Sequence, residues 1–353
     1  MIRRLVVAAG AAVVPAVAVR VLLRRGADRL LDAPRVLTEE AALGPELDAL
    51  GGEVVRLRSR DGLRLSGRWL PAGRATKDWS PDPYEAILLL HGWSGSVAPD
   101  AVEFGPFLRR TAGVLALDFR GHGESDPSPT TFGLREIEDV AGALAWFGER
   151  GIRRIAIFGT SMGGITALAA TVVLGDGTLP AADAEPDAPA APTEAPRPTI
   201  VAIVAESVPP DLPVAIRSRL KRPMTGPLRG PVSRHLWTAV AQRLGADPRA
   251  TEPIRVIGLI DVPVLLIHGD ADETVPLEAS QRLLAAAGGN VEQWVVPGAG
   301  HSRAHAQDAR AYEERVTTFL RSALAGAREP EAILPATQAR KPARKRVRRV
   351  VND

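Results

Sequence analysis

Residues 155–164, Ile-Ala-Ile-Phe-Gly-Thr-Ser-Met-Gly-Gly, constrain this chain more than any other stretch. An apolar run with β character enters Gly159-Thr160-Ser161-Met162-Gly163, and residues 165–173 then carry apolar side chains at helical spacing. Strand, tight turn and helix in that order form the local pattern of a nucleophile elbow. A turn this sharp presses strand and helix together. Glycine at 159 and 163 removes the Cβ atoms that would collide there and leaves Ser161 at the tip, on a strained backbone. The pentapeptide alone is a modest signal in a chain with 33 glycines. The strand before it and the helix after it give it meaning.

The neighbours of this strand are legible by the same reasoning. Residues 53–59 alternate at period two, Arg60-Asp61-Gly62 makes a turn, and residues 63–70 alternate again, which predicts a hairpin with a bulge-prone Gly67. Residues 85–90 and 113–118 are continuous apolar runs of the kind buried on both faces of a parallel sheet. His91-Gly92-Trp93 follows the first run, and Phe119-Arg120-Gly121-His122-Gly123-Glu124-Ser125 follows the second. Residues 135–150 show amphipathic helical spacing, 199–205 and 262–268 read as buried strands, 276–288 as a helix, 291–296 as a strand, and roughly 303–326 as a closing helix. Strand alternating with helix predicts a doubly wound parallel sheet.

A length of 353 residues with 45% hydrophobic content suits one large catalytic domain with extensions. The absence of cysteine excludes disulfides, thiolate zinc sites and a cysteine nucleophile together. Residues 5–23 are apolar up to Arg20 and are flanked by Arg3-Arg4 and Arg24-Arg25, which predicts a hydrophobic membrane anchor over 1–26. The excess of arginine after it places the catalytic domain on the cytoplasmic side, and a secretory signal cleaved near Ala16-Val17-Ala18 is the alternative. A helical linker is expected over 27–52 and the catalytic domain over 53–326. Within that domain, residues 175–198 combine proline, alanine and acid with nothing to bury, which predicts a disordered insertion. Residues 208–258 lack a strand pattern and stand where a cap would be; Leu212, Val214, Ile216, Leu220, Leu236 and Trp237 are their candidate apolar lining. Residues 327–353 form a basic tail whose charge alone does not make a nucleic-acid partner.

A serine hydroxyl is a poor nucleophile at neutral pH and needs a base within hydrogen-bond reach and a carboxylate to orient that base. The carboxylate is expected after a later strand and the histidine after the last one. Residues 268–276, His-Gly-Asp-Ala-Asp-Glu-Thr-Val-Pro, offer Asp270 and Asp272. Residues 298–302, Gly-Ala-Gly-His-Ser, offer His301, with His305 a rival one turn into the closing helix.

Taken together these motifs resemble those of α/β-hydrolase-fold serine hydrolases, in the branch that includes serine aminopeptidase-like and prolyl-oligopeptidase-like enzymes and bacterial carboxylesterases. The likeness spans residues 53–325. It implies a mostly parallel, doubly wound eight-stranded sheet with a helical cap insertion. Carried onto this chain, it makes Ser161 the nucleophile, His301 the general base and Asp272 the orienting acid, because the His-Gly-x-x-Asp-x-x-Val-Pro spacing selects Asp272 over Asp270. It makes the backbone N–H groups of Trp93 and Met162 the oxyanion hole. His91, Gly92, Gly159, Gly163 and His122 are then supporting residues, while His268 and His235 are expected to have structural roles. No metal-ligand spacing and no cofactor motif is present.

Serine at 161 implies acyl transfer to water. A carboxylic ester of a small molecule, lipid-like if the chain is anchored beside a membrane, is the expected substrate. A peptidase or amidase is the alternative within the enzyme class, and a hydrolase-fold protein that binds a ligand without turnover is the alternative outside it.

Overall fold

The structure is a computed structural model that describes residues 21–32, 37–175, 197–219, 229–244 and 247–327. Eight strands form one sheet in the order β1-β2-β4-β3-β5-β6-β7-β8. They are β1 (Glu53–Arg58), β2 (Arg64–Leu70), β3 (Glu85–Leu90), β4 (Gly113–Leu117), β5 (Arg154–Thr160), β6 (Thr199–Glu206), β7 (Val264–Gly269) and β8 (Val291–Val296). β1 pairs antiparallel with β2 and β2 antiparallel with β4, and all later pairs are parallel. This is the predicted mostly parallel, doubly wound sheet.

Side-chain parity explains why the central strands are apolar without interruption. Leu88, Leu90, Leu115, Leu117, Ile155 and Ile157 face one side, where they pack with helices α4 (Glu136–Glu149) and α5 (Met162–Gly175). Ile87, Leu89, Val114, Ala116, Ala156 and Phe158 face the other side, with α3 (Val97–Leu108), α11 (Ala309–Ala327) and Leu47 of α2 (Leu37–Ala49). A strand covered on both faces has no solvent side to mark with polar residues. Each fully buried Leu or Ile contributes about 1.5–3 kcal/mol.

The hairpin register runs without a break from Glu53↔Trp69 to Arg58↔Arg64, so the bulge expected at Gly67 is absent. Gly67 has a different reason. A Cβ there would lie 2.7 Å from the Ala116 carbonyl oxygen on β4. The irregularity in the sheet falls instead between β5 and β6, where the register shifts at Ile155/Ala156. The closing helix is also interrupted, with a short α10 (Ala304–Gln307) before α11. Asp308 stands at the break, and its carboxylate accepts the Ala311 N–H at 3.0 Å.

The cap region holds α6 (Leu212–Arg219), α7 (Arg229–Leu244) and the short α8 (Pro253–Val256), with α9 (Leu277–Ala286) following β7. The cap also has a fourth helix. Residues 21–31 form a helix, α1, that buries Ala27, Leu30 and Leu31 against Leu212, Ala215 and Ile216 of α6 and Leu236 and Val240 of α7. The expected membrane placement is corrected here. Among the described residues no helix is long and apolar enough to cross a membrane. Residues 5–20 of the expected anchor lie outside the described residues, and residues 21–23 belong to a helix whose apolar face, at positions 27, 30 and 31, is covered by the cap. The expected linker over 27–52 accordingly contains the end of α1 and all of α2. The insertion at 176–196 and the tail from 328 onward lie outside the described residues.

Candidate active site

Ser161 stands between β5 and α5 at φ +50°. The adjacent glycines are sterically required: a Cβ on Gly159 would lie 2.4 Å from the Gly163 carbonyl group, and one on Gly163 would lie 2.1 Å from the Leu90 oxygen. The Ser161 N–H donates to the Glu206 carbonyl at 2.8 Å, which ties the turn to the end of β6. Packing and backbone bonding thus hold a serine in a left-handed conformation that costs of order 1–3 kcal/mol.

Asp272 follows β7 and His301 follows β8, and both reach the same point. His301 Nε2 lies 3.1 Å from Ser161 Oγ, and His301 Nδ1 lies 2.8 Å from Asp272 Oδ2. A carboxylate facing Nδ1 keeps the proton on that nitrogen and leaves Nε2 to accept from the serine hydroxyl. The other Asp272 oxygen accepts the N–H groups of Thr274 and Val275, both at 2.8 Å. Burial would raise the Asp272 carboxyl, but the hydrogen bond and charge of His301, with the Val275 N–H, outweigh it and hold it below the usual carboxylate range. Asp270 plays a separate part, accepting the Gly298 N–H at 2.6 Å.

The loop after β3 comes against the turn, since a Cβ on Gly92 would lie 3.5 Å from the Ser161 Cβ. Met162 opens α5, so its N–H is one of those a helix leaves without an acceptor of its own. Two buried histidines brace the loop. His91 donates through Nδ1 to the Gly92 carbonyl at 2.7 Å and accepts the Phe119 N–H at 3.1 Å. His122 likewise donates to the Arg120 carbonyl at 2.9 Å and accepts the Ser94 N–H at 3.3 Å. Burial, together with neighbouring His122, pushes His91 down to about 3, so the ring stays neutral and keeps both bonds. Next to them Arg120 is buried between Asp139 and Asp61, bonded at 2.7–2.9 Å to each. Burial opposes its charge, but the two carboxylates hold it above the ordinary range.

His268 is fully buried and donates to the Val275 carbonyl at 2.8 Å; burial lowers its pKa. His235 is exposed on α7. His305 faces away from Ser161, Asp272 and His301. Its Nδ1 lies 3.1 Å from Glu103, which raises its pKa, and its ring packs on Phe104, Phe107 and Tyr312.

The sequence reading missed Glu206. Its backbone carbonyl holds the Ser161 turn, while its carboxylate accepts the Ala304 N–H at 3.1 Å and the Tyr312 hydroxyl at 2.6 Å, which anchors the histidine loop. Ser207 adds a bond from the Ser302 N–H at 3.0 Å. The available signal was a carboxylate ending an apolar strand. Burial raises the Glu206 carboxyl, with Tyr312 and the Ala304 N–H pulling it back. Nearby Asp100 is pushed up to about 7 by burial and by the charges of Glu103 and Glu206, against a hydrogen bond from Thr160.

A narrow pocket of only about 10 Å³ opens at Ser161 and His301 and is lined by Trp93, Phe132, Ile165, Pro209, Ala215 and Val275. A wider groove at Asp28, Leu31, Pro127, Thr131, Arg135 and Arg243 contains none of Ser161, Asp272 and His301. Among the described residues no group of His, Asp or Glu is placed to hold a metal ion.

These positions coincide with a wider likeness. The model of the alpha/beta hydrolase family matches residues 87–315. The chain belongs to the alpha/beta hydrolase family. It is 24% identical over 290 residues to the uncharacterised protein YfhR of Escherichia coli O157:H7, a match covering 81% of this chain and 86% of YfhR. Among solved structures it is similar to the Pyrococcus furiosus esterase Pf2001, with TM-score 0.59 and 23% identity over 83% of this chain and 98% of that one. Est1E from Butyrivibrio proteoclasticus, solved with ferulic acid bound, gives TM-score 0.53 and 18% identity over 77% and 100%. Family membership makes the protein a hydrolase, and the structural likenesses establish its fold.

Proposed function

We propose that this alpha/beta hydrolase is a serine hydrolase of small carboxylic esters, with Ser161, His301 and Asp272 as its triad. The observation that carries the reading is the pair of contacts made by His301, 3.1 Å to Ser161 Oγ and 2.8 Å to Asp272. Oγ attacks the ester carbonyl carbon and its proton passes to His301 Nε2, while Asp272 stabilises the imidazolium. The oxyanion is held by the N–H groups of Met162 and Trp93. Its collapse breaks the bond to the alcohol oxygen, which takes the proton from His301 and leaves an acyl-serine. Water then attacks the acyl carbon, giving its proton to His301, and the second collapse releases the carboxylic acid and returns that proton to Ser161.

A pocket whose lining is almost wholly apolar beyond Ser161 and His301 suits the acyl side of a small ester. The expectation of lipid-like substrates was tied to an anchor whose residues 5–20 lie outside the described residues, and the described residues add nothing to it. The test is hydrolysis of nitrophenyl butyrate beside fluorophosphonate labelling, for the full chain and for Ser161→Ala. Turnover should fall at least about 10³-fold and labelling should vanish in the variant. A folded wild-type chain that neither labels nor turns over any ester leaves a ligand-binding protein in its place.

A further inference from the structure

Phe132 combines three features that no other residue of the pocket shares. It is a bulky residue at φ +54°, where a branched or aromatic side chain is an outlier. Its ring is buried at 5% exposure and takes part both in the pocket at Ser161 and in the apolar cluster beneath the cap, with Leu31, Leu212, Ile216 and Leu236. Its backbone is clamped from either side. The buried Glu136 carboxylate accepts the Thr131 N–H at 2.7 Å, the Thr131 hydroxyl at 2.6 Å and the Gly133 N–H at 2.8 Å, and the Thr130 N–H donates to the Leu31 carbonyl of α1 at 2.6 Å. An unfavourable conformation persists only where its surroundings over-determine it, and here the clamp fixes the direction of one ring.

That ring lines the pocket and also belongs to the cap's apolar cluster, as Ala215 and Trp93 do. An acyl group carried on Ser161 begins at Oγ and enters the apolar space that opens there; Phe132 stands where that space would join the cap cluster. We propose that Phe132 is a specificity-determining residue that ends the acyl pocket, so that the preferred substrates are esters of short, unbranched acyl groups of about two to four carbons. This deepens the proposed function and rests on Ser161 being the nucleophile. Removing the ring connects the pocket with an apolar cluster able to cover a longer chain, and each further methylene that gains such cover is worth roughly fourfold in kcat/KM.

The experiment is a nitrophenyl ester series from acetate through butyrate and hexanoate to octanoate, run on the full chain, Phe132→Ala and Phe132→Leu, with thermal unfolding of each. The wild type is expected to favour acetate and butyrate and to lose at least about tenfold in kcat/KM by octanoate. Phe132→Ala should raise the octanoate-to-acetate ratio about tenfold or more, through a lower KM for the long esters, while Phe132→Leu stays near the wild-type profile. A wild-type preference for octanoate, or a Phe132→Ala variant that lowers all esters by one common factor, overturns the proposal. Should Phe132→Ala fail to fold, Phe132→Trp decides: a narrower pocket must cut hexanoate more than acetate, and an unchanged ratio overturns the assignment. Fluorophosphonate labelling separates the two levels. A chain that labels and hydrolyses esters with a profile unmoved by position 132 loses only the role of Phe132, whereas a chain that does neither loses the nucleophile as well.

Discussion

Beneath Ser161 the molecule is held by hydrogen bonds to buried groups, whereas above it the cap helices meet one another mainly through apolar contact. On the sheet side, Glu206 reaches Ser161 through its carbonyl and Ala304 and Tyr312 through its carboxylate, and Asp272 accepts from two N–H groups besides His301. On the cap side, α1, α6 and α7 meet through Ala27, Leu30, Leu31, Ile216, Leu236 and Val240. The two modes suit two tasks. A proton relay works only when atoms are fixed to within a few tenths of an ångström, and directional bonds in a low dielectric do this. Apolar contact is indifferent to small shifts, so a cap held in this way can change its lining without disturbing the chemistry below.

The strongest way to break this comparison is at Asp272. In Asp272→Asn the side chain keeps its size and can still accept from Thr274 and Val275, but it no longer holds the proton on His301 Nδ1 by charge. The expected loss is about 10⁴-fold in kcat, about 5 kcal/mol on the barrier. The acyl-length profile should keep its shape. An altered profile with kcat intact would mean that the two sides of Ser161 are not separable.

Asp100 sharpens the account of the polar side. With its carboxyl at about 7, the folded chain binds a proton more tightly than the unfolded chain, whose carboxyl titrates near the ordinary value. The folded state therefore loses stability as pH rises from about 4 to about 7. Asp100→Asn should remove that slope and be more stable above pH 7. The place of Asp100 in the first turn of α3 favours a negative charge and keeps the gain at about 1–2 kcal/mol. Urea unfolding at pH 5 and pH 8 reads it directly. Equal pH slopes in the two proteins would remove Asp100 as a source of strain, with Asp139, Glu206 and His305 left to account for any slope that remains.

The polar side was the more legible in the sequence. Ser161 and Asp272 each follow a strand whose apolar run is visible in isolation, His301 follows the mixed strand Val291–Val296, and the turn that presents each one is written in adjacent glycines or aspartates. The fold followed from the same runs, because strands buried on both faces cannot be disguised. Glu206 escaped because its three partners come from distant segments. The cap escaped for a related reason: α1 packs on α6 and α7 from nearly 200 residues away, and only the packing reveals that its apolar side chains are internal. A signal was nevertheless present, since Ala27, Leu30 and Leu31 stand at i, i+3 and i+4, the stripe of an amphipathic helix.

The smallest effect is expected where the cap does use charge. Arg243 of α7 bonds Asp28 of α1 at 2.5–2.8 Å, yet both side chains are about half exposed. Water and salt screen such a pair, and ordering two long side chains offsets much of the attraction, so Arg243→Ala should cost about 0–1 kcal/mol and less still in high salt. Thermal unfolding at low and high ionic strength checks this, with the nitrophenyl series alongside. If apolar contact through Leu30 and Leu31 holds α1, the acyl-length profile stays unchanged in Arg243→Ala. A variant that accepts longer esters, or that loses several kcal/mol, would show that charge fastens α1 to the cap and that the division drawn across Ser161 is incomplete.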